Sequence, residues 1–149
     1  MGSGSVAITS TSGSNRVLTV TGLSPGASAT ITQGTSRTGY TSGSATVSGT
    51  SSTGAALTPT FGTPTATSDG FTVTITNYDP AFTWATPTVG SGSVAVTSTT
   101  GSNRVLTVTG LSTGTTATIT QGTTRTGYTS GSATVSGTSS TGAALTPTF

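Results

Sequence analysis

Residues 2–61 and 90–149 are one sequence written twice, without a gap, at a spacing of 88. The copies differ only at Ile8/Val96, Ser12/Thr100, Pro25/Thr113, Ala27/Thr115, Ser28/Thr116 and Ser36/Thr124. Every exchange is conservative, so the two copies are expected to share one conformation. Self-similarity at a long fixed period marks a tandem array of structural units. Only residues 62–89 occur once. Whatever fold this chain adopts must therefore be the fold of one 88-residue unit, plus the part of a unit left over.

The pattern inside the repeat selects β structure. Leu18 and Val20 alternate with Thr19 and Thr21, and Phe71, Val73 and Ile75 alternate with Thr72, Thr74 and Thr76. That period of two is the signature of a half-buried strand. Composition points the same way. Of 149 residues, 42 are Thr and 24 are Ser, while only 4% are charged and 30% hydrophobic. A disordered chain of such low hydrophobicity normally carries charge. Thr, in contrast, is β-branched and favours strands. The expectation is an all-β fold with a thin core and hydroxyl-covered outer faces.

The unique stretch holds the richest segment, Phe71 to Trp84. It contains the only tryptophan, and Asn77-Tyr78-Asp79-Pro80 carries turn chemistry. It reads as a core hairpin between strands at 71–76 and 82–86. The complete unit then spans 55–142, with strands predicted at 56–61, 71–76, 82–86, 93–98, 104–110, 116–121 and 132–137. Seven short strands with turn signals between them specify an antiparallel β-sandwich. Its predicted core is Phe71, Val73, Ile75, Phe82, Trp84, Val94, Val96, Leu106, Val108, Ile119 and Val135. Residues 2–54 are the second half of a module, an incomplete first repeat with strands at 5–9, 16–21, 28–33 and 44–48. Thr50 to Gly54 is the linker candidate, and 143–149 begins the first strand of a next module. The incomplete repeat would leave Val6, Ile8, Leu18, Val20, Ile31 and Val47 on an open sheet, which small half-sandwiches do not tolerate alone. Association with neighbouring repeats or copies of itself is the expected remedy, with docking of the 143–149 tail as one route.

The order of elements resembles the immunoglobulin-like and fibronectin type III-like modules repeated in large bacterial surface proteins. The segment that carries the resemblance is Val105-Leu106-Thr107-Val108-Thr109-Gly110-Leu111-Ser112-Thr113-Gly114-Thr115, followed by Ala117-Thr118-Ile119. It is similar to the strand–Leu-x-Pro-Gly-Thr–strand corner of fibronectin type III, and Pro25 supplies the proline in the first copy. The family's corner tyrosine falls at Ala29 and Ala117, and Trp84 sits one strand later than the family's early tryptophan. The resemblance implies a structural spacer or adhesion module, extracellular or at a bacterial cell surface. A carbohydrate- or protein-binding accessory module is the alternative.

The chemistry-bearing residues are few. There is no Lys, Glu, His or Cys, which removes most general bases and nucleophile partners, so no enzyme is expected. Gly22-Leu23-Ser24-Pro25-Gly26 and Gly110-Leu111-Ser112-Thr113-Gly114 match the G-x-S-x-G pattern. That pattern works only at a strand-to-helix elbow beside a base, so a strand-joining turn is expected. Neither a metal nor a cofactor is expected, because Asp69 and Asp79 are the only carboxylates and zinc ligands do not cluster. A Thr–Gln ester through Gln33 or Gln121 would need a neighbouring acid. Arg16, Arg37, Arg104 and Arg125 are scattered, so no nucleic-acid partner is expected, and no apolar run is long enough for membrane insertion. The candidate partner contacts are Arg37 with Tyr40 and Arg125 with Tyr128, at the tips of equivalent loops. Arg and Tyr are enriched at binding hot spots, while a Tyr folded over its loop with Arg stacked on it is the plainer arrangement.

Overall fold

The computed structural model describes residues 4–142, so the tail at 143–149 lies outside the described residues. It contains strands and no helix among them. The strands are β1 (Ser5–Ser12), β2 (Asn15–Thr21), β3 (Ser28–Thr35), β4 (Gly43–Thr50), β5 (Thr65–Thr67), β6 (Gly70–Ile75), β7 (Thr83–Trp84), β8 (Thr88–Val89), β9 (Ser93–Thr100), β10 (Asn103–Thr109), β11 (Thr116–Thr124) and β12 (Gly131–Thr138). The chain divides into two compact units: Met1–Ala55 with Thr126–Tyr128, and Ala56–Arg125 with Thr129–Phe149.

The second unit has two antiparallel sheets. One runs β5-β6-β10-β9 and the other β12-β11-β7, with β8 also on β11. Alternation decides which side chains point inward. Along β11, Ala117, Ile119, Gln121 and Thr123 are buried while Thr116, Thr118, Thr120 and Thr124 are exposed. Phe71, Val73, Ile75, Leu106 and Val108 from the first sheet join Ala117 and Ile119 from the second, with Leu111 between them, in one core cluster. The sheets approach closely because β12 offers a glycine where β6 brings a ring. A Cβ on Gly137 would lie 2.4 Å from Phe71 Cδ2. Outward hydroxyls pair across strands instead of standing alone: Thr97 with Thr107, Thr116 with Thr138 and Thr118 with Ser136, at 2.7–2.9 Å. Such cross-strand pairs add stability without burying apolar area.

Several sequence expectations need correction. Phe71 to Trp84 is not a hairpin. β6 pairs with β5 and β10, whereas β7 pairs with β11 in the other sheet. The turn at Asn77–Pro80 is a crossover between sheets, because β10 and β5 already occupy both edges of β6. Residues 56–61 form no strand, and only Phe61 makes an isolated bridge, to Ile75. Asn77 holds this stretch instead: its Oδ1 accepts from Thr60 N and its Nδ2 donates to Thr58 O, each at 2.8 Å. The strand expected at 82–86 is reduced to β7, and past buried Pro87 a further short strand, β8, forms outside the predicted ranges. The predicted core also shifts. Val96 is 42% exposed, because β9 is an edge strand and its pairing with β10 slips register at that point. Phe82 is half-buried outside the cluster, and Trp84, Val94 and Val135 pack against the core from its margin.

In the first unit β1 pairs only with β2, and β3 only with β4, among the described residues. These four strands begin at the same offset of 88 as β9, β10, β11 and β12. Among the described residues of this unit no strand corresponds to β5–β8, and the exposure follows. Val6, Ile8 and Val47 are more than half exposed, and Leu18, Val20 and Ile31 are half-buried. Their counterparts Leu106, Val108 and Ile119 are fully buried. The residues expected to form the linker, from Thr50 onward, are partly tied down: Ser51 N donates to Ala27 O and Ser52 O accepts from Gly26 N.

Candidate partner-contact sites

The loop joining β3 to β4 is shaped by Gly39, whose φ of 81° lies in the left-handed region that other residues avoid. Tyr40 N donates to Arg37 O at 3.0 Å, closing the turn. The Arg37 guanidinium carbon then sits 5.0 Å from the centre of the Tyr40 ring. Tyr40 is 68% exposed, and the pair borders a shallow cleft of about 280 Å³ with Thr35, Ser36 and Thr41. The stacked arrangement is thus present in the first copy, and it stands out in solvent. The second copy differs. Arg125 lies over the Phe82 ring, 5.4 Å from its centre, and Tyr128 is half-buried, with Gly54 against its ring. Two loops that differ only at Ser36/Thr124 therefore present different surfaces.

A second cluster was not foreseen as a site. Arg104 lies 4.2 Å from the centre of the Tyr78 ring and 5.5 Å from that of Trp84, and the two rings are 5.3 Å apart. The Trp84 indole N–H donates to Asp79 O at 2.9 Å, and the Asp79 carboxylate accepts from Ala81 N. This packing is internal bracing: the crossover corner brings Tyr78 and Trp84 together, and Arg104 from β10 covers them. The sequence signal was the lone Trp close to Tyr-Asp-Pro, but it did not identify which arginine would meet them.

The two G-x-S-x-G segments are turns. Ala27 N donates to Ser24 O and Thr115 N to Ser112 O, both at 3.1 Å. Each corner is fastened by a serine from far along the chain. Ser51 Oγ donates to Ser24 O at 2.7 Å, and Ser139 Oγ donates to Ser112 O at 2.6 Å. The serine carbonyls thus serve as acceptors in a structural tie. Gln121 is fully buried, and its Nε2 donates to Ala85 O and Gly122 O. Gln33, its counterpart, is exposed, and its Nε2 donates to Gly34 O. Among the described residues, no group of three or more His, Cys, Asp or Glu side chains is placed to hold a metal, and no helix is long and apolar enough to cross a membrane.

The first unit carries an apolar concavity. A groove of about 410 Å³ is lined by Val20, Leu23, Ala29, Ile31, Val47 and Gly49, with neighbouring backbone. The equivalent positions in the second unit are Val108, Leu111, Ala117, Ile119, Val135 and Gly137, which surround or adjoin the core. Comparison with protein-family models, curated proteins and solved structures finds no match to this chain.

Proposed function

We propose that this chain is a non-catalytic structural module: an immunoglobulin-like or fibronectin type III-like β-sandwich from a tandem repeat, acting as a spacer or adhesion element outside a bacterial cell. The observation that carries the reading is the 88-residue duplication, with four strands recurring at that offset. A chain that duplicates strands, turns and corner serines alike, and holds so few acid–base groups, is built to extend. Hydroxyl-paired outer faces without Lys or Glu suit a surface that need not attract charged partners. Concatemers of the 88-residue unit test it: scattering at small angles should give a length that grows by a constant increment per unit. Lengths that stop growing after two or three units would reject the spacer reading.

A protein-binding accessory role has one observation in its favour, the exposed Arg37–Tyr40 stack. Tyr40→Ala should then abolish capture of a partner from the host surface while leaving the fold intact.

A further inference from the structure

The groove in the first unit is a socket whose missing occupant is visible elsewhere in the same chain. In the second unit the corresponding space is filled by residues that precede the repeated segment. Phe71 is fully buried there and packs on Gly137. The first unit keeps the glycine but lacks the ring, and an added Cβ on Gly49 meets nothing within 4 Å. Both edges that the occupant would use are open. β10 pairs with β6 in the register Leu106↔Val73 and Val108↔Phe71, and β11 pairs with β7 and β8. Their counterparts β2 and β3 have no such neighbours among the described residues.

Polar and charged groups match as well. Gln121 donates to Ala85 O, Thr123 donates to Leu57 O, Arg104 covers Tyr78 and Trp84, and Arg125 covers Phe82. The first unit holds the equivalents Gln33, Thr35, Arg16 and Arg37. Both acidic residues of the chain, Asp69 and Asp79, lie within 62–89, whereas all four arginines lie in the repeated segments. Charge therefore favours the same pairing.

We propose that the groove of the first unit is an acceptor for an extended segment with the sequence pattern of residues 56–89. The segment adds a strand to β2 and short strands to β3, and its phenylalanine fills the space over Gly49. This is strand addition combined with an aromatic anchor. An intact second copy of this chain is not the donor, because its Phe71, Val73 and Ile75 are already buried in its own core. The donor must carry the segment unsatisfied. The inference is independent of whether the module is a spacer, since it concerns only what completes the first unit.

The test uses the full chain and a fluorescent synthetic peptide of residues 56–89. Saturable one-to-one binding is expected, together with new exchange protection of amides along β2 and β3. A Phe71→Ala peptide should bind roughly ten-fold or more weakly, the loss equivalent to one buried aromatic anchor. Gly49→Val in the chain should weaken the parent peptide similarly while leaving circular dichroism unchanged, since that Cβ enters empty space. Gly49→Val also separates binding at the first unit from strand exchange at the second. No saturable binding, or equal binding by the parent peptide, the Phe71→Ala peptide and the Gly49→Val chain, overturns the proposal. A dimeric chain with β2 and β3 already protected before peptide is added overturns it too, by assigning the groove to a second copy.

Discussion

Gly49 and Gly137 sit in identical local sequence, Ser-Ala-Thr-Val-Ser-Gly-Thr-Ser-Ser, at equivalent places in β4 and β12. Alanine at each should nevertheless have opposite effects. At Gly137 the new Cβ would lie 2.4, 2.5 and 2.7 Å from three atoms of the Phe71 ring. Ordinary carbon contacts are about 3.5–4.0 Å, so ring and strand must separate by roughly 1 Å. Phe71 has no free side to move into, because it is fully buried against the core cluster. Overpacking of this kind costs about 1–3 kcal/mol. Both substitutions also restrict the unfolded chain, which favours folding by about 0.4–1 kcal/mol. That contribution is common to both sites and cancels in their difference. Gly49→Ala should therefore be neutral or slightly stabilising, and the two sites should differ by about the clash alone, 1–3 kcal/mol. Trp84 is the only tryptophan and belongs to the second unit, so its fluorescence in a denaturant titration reports Gly137→Ala. Amide exchange along β3 and β4 reports Gly49→Ala. Equal effects at the two glycines would refute the claim that one socket is filled and the other empty.

Three further outcomes follow from the same geometry. Trp84→Phe should cost about 1 kcal/mol, since it keeps most of the ring packing but leaves Asp79 O without its indole donor; a loss near zero in urea titration would remove that bond from the account. Gln121→Ala should destabilise by about 2 kcal/mol, losing two buried hydrogen bonds and opening a small cavity, while Gln33→Ala stays within about 0.5 kcal/mol by exchange at β3. Arg104→Ala should cost about 1 kcal/mol through lost contact with Tyr78 and Trp84 and change Trp84 emission, whereas Arg16→Ala, on an exposed side chain, should leave the thermal midpoint and that emission in place.

The strands of the repeated segment were legible because period two survives any tertiary context that buries one face. Over residues 116–120 the sequence alternates as the burial does, and the burial carries the same alternation on through Gln121 and Thr123. The unique segment was less legible. Asn77-Tyr78-Asp79-Pro80 announces a turn, but a turn does not say whether the next strand returns beside the last or leaves for another sheet. That depended on β10, distant in sequence, occupying the edge of β6 that a hairpin partner would need. Ala117, Gln121 and Thr123 escaped the predicted core for a related reason. Small or polar residues enter a core only where the surroundings make room or supply a partner, as Ala85 O does for Gln121 Nε2 and Leu57 O for Thr123. Leu111 escaped because its sequence reads as part of the turn after β10.

The candidate site divides along the same line. That Arg37 and Tyr40 share a loop tip could be read from spacing and Gly39, because loop closure is local. That Arg125 would lie over Phe82 could not, because from Arg37 and Arg125 onward the two loops share one sequence and only their surroundings differ. Sequence by itself determined strand periodicity, turn positions and the identity of the two copies, all consequences of backbone stereochemistry and side-chain alternation over a few residues. Which copy has the strands to close a core was legible too, because residues 62–89 occur once; tertiary structure alone decided how those strands close it. Leu106 and Leu18 have the same neighbours along the chain, yet one is fully buried and the other half-buried. Burial belongs to whatever packs against a residue from elsewhere in the chain, and in the second unit that is β6 with its phenylalanine.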